Sequence, residues 1–220
     1  MKSGVSEKGY NMSMSVDDVF NSVSPPSEDG GGTDFIRRLK MDAKDGFNAV
    51  IIREQNSNLE WEDTEERLPF PHELAIDMAN MEITWSKFDG GRDVIGTKLR
   101  DIMSGTTEPP RQPGKDYKDG IRVYVSNKKL FSEPYRELLQ NSYYAKEAFK
   151  QLYKEYQKVA SDHEDEAPVI TFSEPNVKTT KMGKVKPPNM KITGWTKRDA
   201  FDGVDDAPAT SSSSGKAVFE

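Results

Sequence analysis

The sequence predicts a β-rich α+β domain, an antiparallel barrel or sandwich with one long amphipathic helix, flanked by disordered N- and C-terminal tails. Three observations predict it. Short apolar or β-branched runs alternate with Gly, Pro, Asn and Asp turn signals through the middle of the chain. Only Tyr143 to Val159 keeps a clear helical period, and both ends are polar and of low complexity. The 220 residues carry a formal net charge of -6, 34% hydrophobic residues and no Cys. The expected boundaries are a disordered arm over 1–33, a globular domain over 34–198 and an acidic tail over 199–220.

In the arm, Ser, Gly, Asp and Glu surround Pro25-Pro26 and the run Gly30 to Gly32, too polar to offset the entropy of ordering. Val16, Val19, Phe20 and Val23 stand at helical spacing and read as a transient helix or as a segment that folds on a partner. Beyond Asp34, the segment with Ile36, Leu39 and Met41 runs into Asp45-Gly46, a hairpin signal. The β-branched run Phe47 to Arg53 follows, so the two segments pair antiparallel. Glu54 to Glu66 is acidic around Leu59 and Trp61 and suits a short strand or loop.

Leu74, Ile76 and Met78 alternate, and Met81, Ile83 and Trp85 alternate one residue out of phase. A bulge near Ala79-Asn80 would repair that change, as would a helical turn from Glu73 to Met78. Glu82 to Phe88 reads as strand. Three prolines and three glycines make Ser104 to Gly120 a long loop, and Ile121 to Val125 is a strand. Ser132 is placed to cap a short helix containing Pro134, Leu138 and Leu139. In the long helix, Ala145, Ala148, Phe149, Leu152, Tyr153, Tyr156 and Val159 share the face expected to pack on the sheet. Lys146, Lys150, Lys154 and Lys158 form the opposite, solvating row. Val169 to Phe172 and Lys191 to Lys197 complete the strands, about seven to eight in all.

Several chemistries are excluded. Without Cys there is no disulfide scaffold, thiol nucleophile or thiolate zinc site. His72 and His163 are the only imidazoles, and His72-Glu73 lacks the second His of HExxH. Neither a phosphate loop nor a nucleophile elbow is present, so no enzyme, cofactor or metal is expected. Nor is a membrane partner, because no apolar run approaches the roughly 20 residues of a membrane helix.

Charge segregation is the informative feature. Between Val169 and Arg198 the chain carries Lys178, Lys181, Lys184, Lys186, Lys191, Lys197 and Arg198 against Glu174 alone, and such a patch attracts polyanions. Arg122, Lys128 and Lys129 lie in a second basic stretch around Tyr124. Single-stranded nucleic acid needs cations that follow the phosphates and rings on which bases stack. The stacking candidates are Trp195, which reads equally as core or platform, Tyr124, which alternates outward between Val123 and Val125, and Trp85, which reads as core. An acidic tail with Phe201, Asp202, Asp205, Asp206 and Phe219 follows directly, suited to compete for the basic groove or to bind partner proteins.

A β-rich domain with basic, aromatic-bearing strands and a disordered acidic tail with a near-terminal Phe resembles the OB-fold single-stranded DNA-binding proteins of bacteria and their phages. The resemblance is one of architecture over Asp34 to Glu220. It implies an OB-like barrel, single-stranded nucleic acid as ligand, replication or recombination proteins as tail partners, possible homo-oligomers, and a place in the cytoplasm of a bacterial host. The alternative expectation is a non-enzymatic phage structural, assembly or adaptor protein. The tail's ending, Ala217-Val218-Phe219-Glu220, and the helix near the C-terminal strands depart from that family's pattern.

Overall fold

The computed structural model describes residues 14–21, 38–55, 58, 61–88, 92–181 and 183–202. Helix α1, Val16–Asn21, is followed by strands β1, Arg38–Asp42, and β2, Phe47–Gln55. These two form the expected hairpin, closing with Asp42 opposite Phe47. In the turn the Asp42 carboxylate accepts the backbone N–H groups of Lys44 and Asp45, both at 2.9 Å. Gly46 sits at φ 73°, a conformation that costs residues with a Cβ. Strand β3, Trp61–Arg67, pairs with β2. Its Glu62 to Arg67 are all exposed, an acidic edge of the kind that discourages sheet-to-sheet pairing.

After the cis Phe70-Pro71 bond come β4, His72–Ile76, a 3₁₀ turn at Met78–Asn80, and β5, Glu82–Lys87. The phase change falls where the alternation places it, and a 3₁₀ turn takes it up instead of a bulge or a turn over Glu73 to Met78. Strand β6, Asp93–Lys98, and helix α2, Leu99–Met103, are elements that the sequence pattern did not reveal. The loop before β7, Lys118–Ser126, is irregular as expected.

The segment expected to be a helix behind Ser132 is instead strand β8, Arg136–Gln140. It lies between β7 and, in parallel, β1, and four of its five residues are buried. Covered on both faces, it shows no alternation. Helix α3, Tyr143–Gln157, precedes β9, Glu166–Ser173, the small hairpin of β10, Lys178–Thr180, and β11, Gly183–Val185, and finally β12, Asn189–Lys197.

The result is a strand-rich α+β fold whose main sheet curls into a half-barrel in the order β12-β9-β4-β7-β8-β1-β2-β3. Strand β7 is the branch point. It pairs with β8 along Ile121 to Val125, with β5 along Lys118 to Arg122, and with β4 at Val125 and Ser126. One sheet face turns Leu74, Ile83, Ile121, Val123, Leu138 and Phe172 into the main core, shared with Ala145, Phe149, Leu152, Tyr153 and Tyr156 of α3. A fully buried side chain of this size contributes roughly 1.5–3 kcal/mol.

Of the lysine row on α3, Lys158 is exposed as expected, but the other three are paired. Lys146 pairs with Asp119, while Lys150 and Lys154 reach Asp17 of α1 at 3.5 and 2.6 Å. The early apolar segment therefore folds on its own chain, with Val16 and Val19 buried. At the other end the described residues run past Arg198 to Asp202. A 3₁₀ turn, Arg198–Phe201, carries Phe201 back to the second face of the sheet, where it packs with Tyr124 and Ala167.

Candidate polyanion-binding face

The basic connection between β9 and β12 gathers at one end of the sheet. The chain leaves β9 at Ser173 and enters β12 at Asn189, opposite each other in the ladder. Two contacts tie the connection down: the Lys186 N–H donates to the Ala43 carbonyl at 2.9 Å, and the Lys186 side chain lies over the β1–β2 turn. Its Cδ and Cβ stand 2.6 and 2.7 Å from where a Cβ on residue 46 would be. Lys186 is thus half-buried as an anchor, its aliphatic stem occupying the space that Gly46 leaves open.

The hairpin beyond this anchor is basic on every side. Lys178 pairs with Val185 and Thr179 with Lys184, so strand alternation points Lys178 and Lys184 to opposite faces, and Lys181 stands at the tip. All three are exposed. On the outer face of β12, Lys191 is also exposed and lies opposite Thr171 of β9, which in turn lies opposite Glu73 of β4. Thr171 and Thr193 share a hydrogen bond of 2.8 Å. The Asn127 amide donates to the Glu73 carbonyl at 2.6 Å, bringing the turn with exposed Lys128 and Lys129 to the start of β4. Among the described residues, Lys128, Lys129, Lys178, Lys181, Lys184 and Lys191 form no ion pair.

The other predicted residues go elsewhere. Arg122 is held in a pair with Glu82 of β5, its Nε 2.6 Å from Oε2 and both side chains 13% exposed. Burial pushes the Glu82 carboxyl up, opposed by the adjacent guanidinium. Tyr124, expected to face outward, is 5% exposed, and burial pushes its hydroxyl up to about 12. It does alternate away from Val123 and Val125, but Phe201 and Tyr135 cover the face it reaches. Trp85 is core, its Nε1 donating to the Pro110 carbonyl at 2.9 Å. Trp195 is half-buried on the opposite side of β12 from Lys191, one ring face stacked on His163 at 3.7 Å and 4°.

Phe201 belongs to the folded body, Asp202 ends the described chain, and Asp205, Asp206 and Phe219 lie outside the described residues. The structure thus leaves these six lysines exposed and separates them from Arg122, Tyr124 and Trp195.

Two buried polar arrangements lay beyond the sequence pattern. On the second face, Glu137 is fully buried and both of its carboxylate oxygens accept from a single guanidinium nitrogen, Nη2, of Arg92, beside the Glu82–Arg122 pair. On the core side, His72 lies between the rings of Phe70 and Phe172, each at 5.2 Å. Its Nδ1 faces the Pro69 carbonyl and its Nε2 the Asn48 amide nitrogen, both at 2.9 Å. A carbonyl only accepts and an amide N–H only donates, so these contacts fix a neutral ring with the proton on Nδ1, and burial lowers its pKa. Both ring nitrogens are committed to the fold. No protein-family model, curated protein or solved structure matches this chain.

Proposed function

We propose that the protein is a non-enzymatic single-stranded nucleic-acid-binding protein, of the phage type, that holds the phosphate backbone on the lysines of the β9–β12 connection. The observation that carries this reading is the group of six exposed lysines, Lys128, Lys129, Lys178, Lys181, Lys184 and Lys191, without an acidic partner among the described residues. Unpaired exposed cations attract a polyanion without first breaking an internal ion pair. An OB-like barrel is the finer fold assignment that accompanies it, supported by the curled, strand-rich sheet.

Base stacking has a smaller part in this proposal than the sequence suggested, because Tyr124 is buried and one face of Trp195 is occupied. Binding is then led by the backbone, tolerant of sequence and steep in salt. With six phosphate contacts, log K falls with log salt at a slope of about −4 on a single strand. The tail from Gly203 onward competes with the strand for the lysines or recruits replication or recombination proteins.

The test is fluorescence anisotropy of a labelled dT oligonucleotide, at low and moderate salt, with three proteins: the full chain, a chain ended after Asp202, and a full chain carrying Lys178→Glu, Lys181→Glu and Lys184→Glu. Ending after Asp202 keeps Phe201 in its packing. The expected results are salt-sensitive binding by the full chain, tighter binding by the shortened chain, and a loss of at least tenfold in the triple variant. No binding by the full or shortened chain at low salt would remove the reading and leave the structural or adaptor protein as the better account.

A further inference from the structure

The contact between α1 and the body has the composition of a small receptor with its ligand in place. Helix α1 lies against α2 and α3. Val16 and Val19 are buried at 5% and 0% exposure, and Met14 and Phe20 pack partly against the same core. Its polar side is as specific. Asp17 accepts from Lys154 at 2.6 Å and lies 3.5 Å from Lys150, and the two lysines hold its carboxyl below its usual range. Ser15 and Asp18 cap the helix reciprocally. The Asp18 carboxylate accepts the Ser15 N–H at 3.2 Å and hydroxyl at 2.6 Å, and the Ser15 oxygen accepts the Asp18 N–H at 3.2 Å, the logic of a capping box.

Two features make this ligand exchangeable. The ordering entropy of so short a segment is of the same order as the gain from burying two valines and parts of two further side chains, so the contact is easily reversed. Residues 22–37 then separate α1 from β1, and sixteen residues reach at most about 55 Å when extended, enough to span from one domain to a neighbouring copy.

We propose that the surface formed by α2 and α3 is a docking site for the Met14–Asn21 segment of a second copy of this chain, so that neighbouring copies exchange arms. The same two lysines and the same apolar seat receive the arm from either source, and Lys154, 2.6 Å from Asp17, selects an acid at that position, with Lys150, itself paired to Glu147 at 2.9 Å, beside it. Exchange of an identical element adds no new contact type and is a low-cost route to association. The inference is independent of the nucleic-acid reading, since none of the six lysines of that face contributes to it.

The absence of Cys permits a direct test on the full chain. One preparation carries Asp17→Cys, a second carries Lys154→Cys, a third carries both, and a fourth carries Lys115→Cys at an exposed loop position. Treated with a short bis-maleimide, which matches the reach of the replaced Lys–Asp pair better than a disulfide does, the double variant should close an internal crosslink. Mixing the first two at rising concentration under the same treatment should give a cross-linked heterodimer at least fivefold more abundant than Asp17→Cys mixed with Lys115→Cys. Closure of the double variant without heterodimer above that control would overturn exchange. Failure of the double variant to close would overturn the docking contact itself. Loss of the heterodimer on adding Val19→Asp to the Asp17→Cys chain should accompany a positive result, and its persistence would count against arm docking.

Discussion

Basic side chains serve two opposite ends in this molecule. On the sheet and its margins, Arg92, Arg122, Arg198 and Lys146 are each committed to a carboxylate, of Glu137, Glu82, Asp77 and Asp119 respectively. At the end of the sheet, the lysines of the β9–β12 connection and of the turn after β7 stand exposed and unpaired among the described residues. The first region uses mainly arginine, whose delocalised and weakly hydrated guanidinium suits pairing with a buried acid, and the second only lysine, which stays hydrated on a flexible stem. Density of positive charge along the sequence therefore does not distinguish a cation that builds the fold from one available to a ligand. Burial and pairing do.

The largest effect should come from breaking the buried set. Glu82→Gln leaves the Arg122 charge in a nearly closed site, and removing one partner of such a pair costs about 3–5 kcal/mol. Urea denaturation should report that loss, while affinity for dT, measured where the variant remains folded, stays at the parent value. A loss under 1 kcal/mol would mean that water already reaches the pair.

A smaller effect is expected from pH. The folded-state pKa of His72 lies below its ordinary value of 6.5, so the unfolded chain takes up a proton first as the solution is acidified. The contribution of this group is fully present above pH 6.5 and is lost as pH falls from there toward the depressed folded value, with a slope of at most about 1.4 kcal/mol per pH unit. His72→Gln should remove that part of the slope. Parallel stability curves for parent and variant between pH 7 and 5 would assign the slope elsewhere.

The smallest effect on stability belongs to the exposed lysines. The variant with Lys178→Glu, Lys181→Glu and Lys184→Glu should unfold within about 0.5 kcal/mol of the parent, as surface changes usually do, although it loses dT binding. A destabilisation beyond 2 kcal/mol would place the hairpin in the structural set and erase the contrast.

Local chemistry made part of the fold legible. Asp45-Gly46 marked the turn of the first hairpin, and the alternation along Leu74 to Trp85 located its own interruption to within a residue or two. What could not be read was coverage. Alternation assigns Arg122 and Tyr124 to one face of β7, but the return of Arg198–Phe201 from far along the chain, with Tyr135, determines that Tyr124 is closed in there. The same limit hid β8, whose Glu137 and Leu138 point to opposite sides and are both buried. It also hid the destination of α1, since Asp17 meets Lys154 across 137 positions. The lysines were legible as two groups because each group is local in sequence, and their lack of acidic partners among the described residues was visible only in three dimensions.

The sharing of β7 among β4, β5 and β8 determines where the chain can take up extra length. One residue added inside β7 would turn the rest of that strand to the opposite face against three neighbours at once, with no free edge to absorb the slip. The loop just before it has the opposite character, since Ser104 to Glu108 are exposed. A reporter domain or affinity tag therefore belongs between Thr107 and Glu108, where it leaves all three pairings and both chain ends untouched.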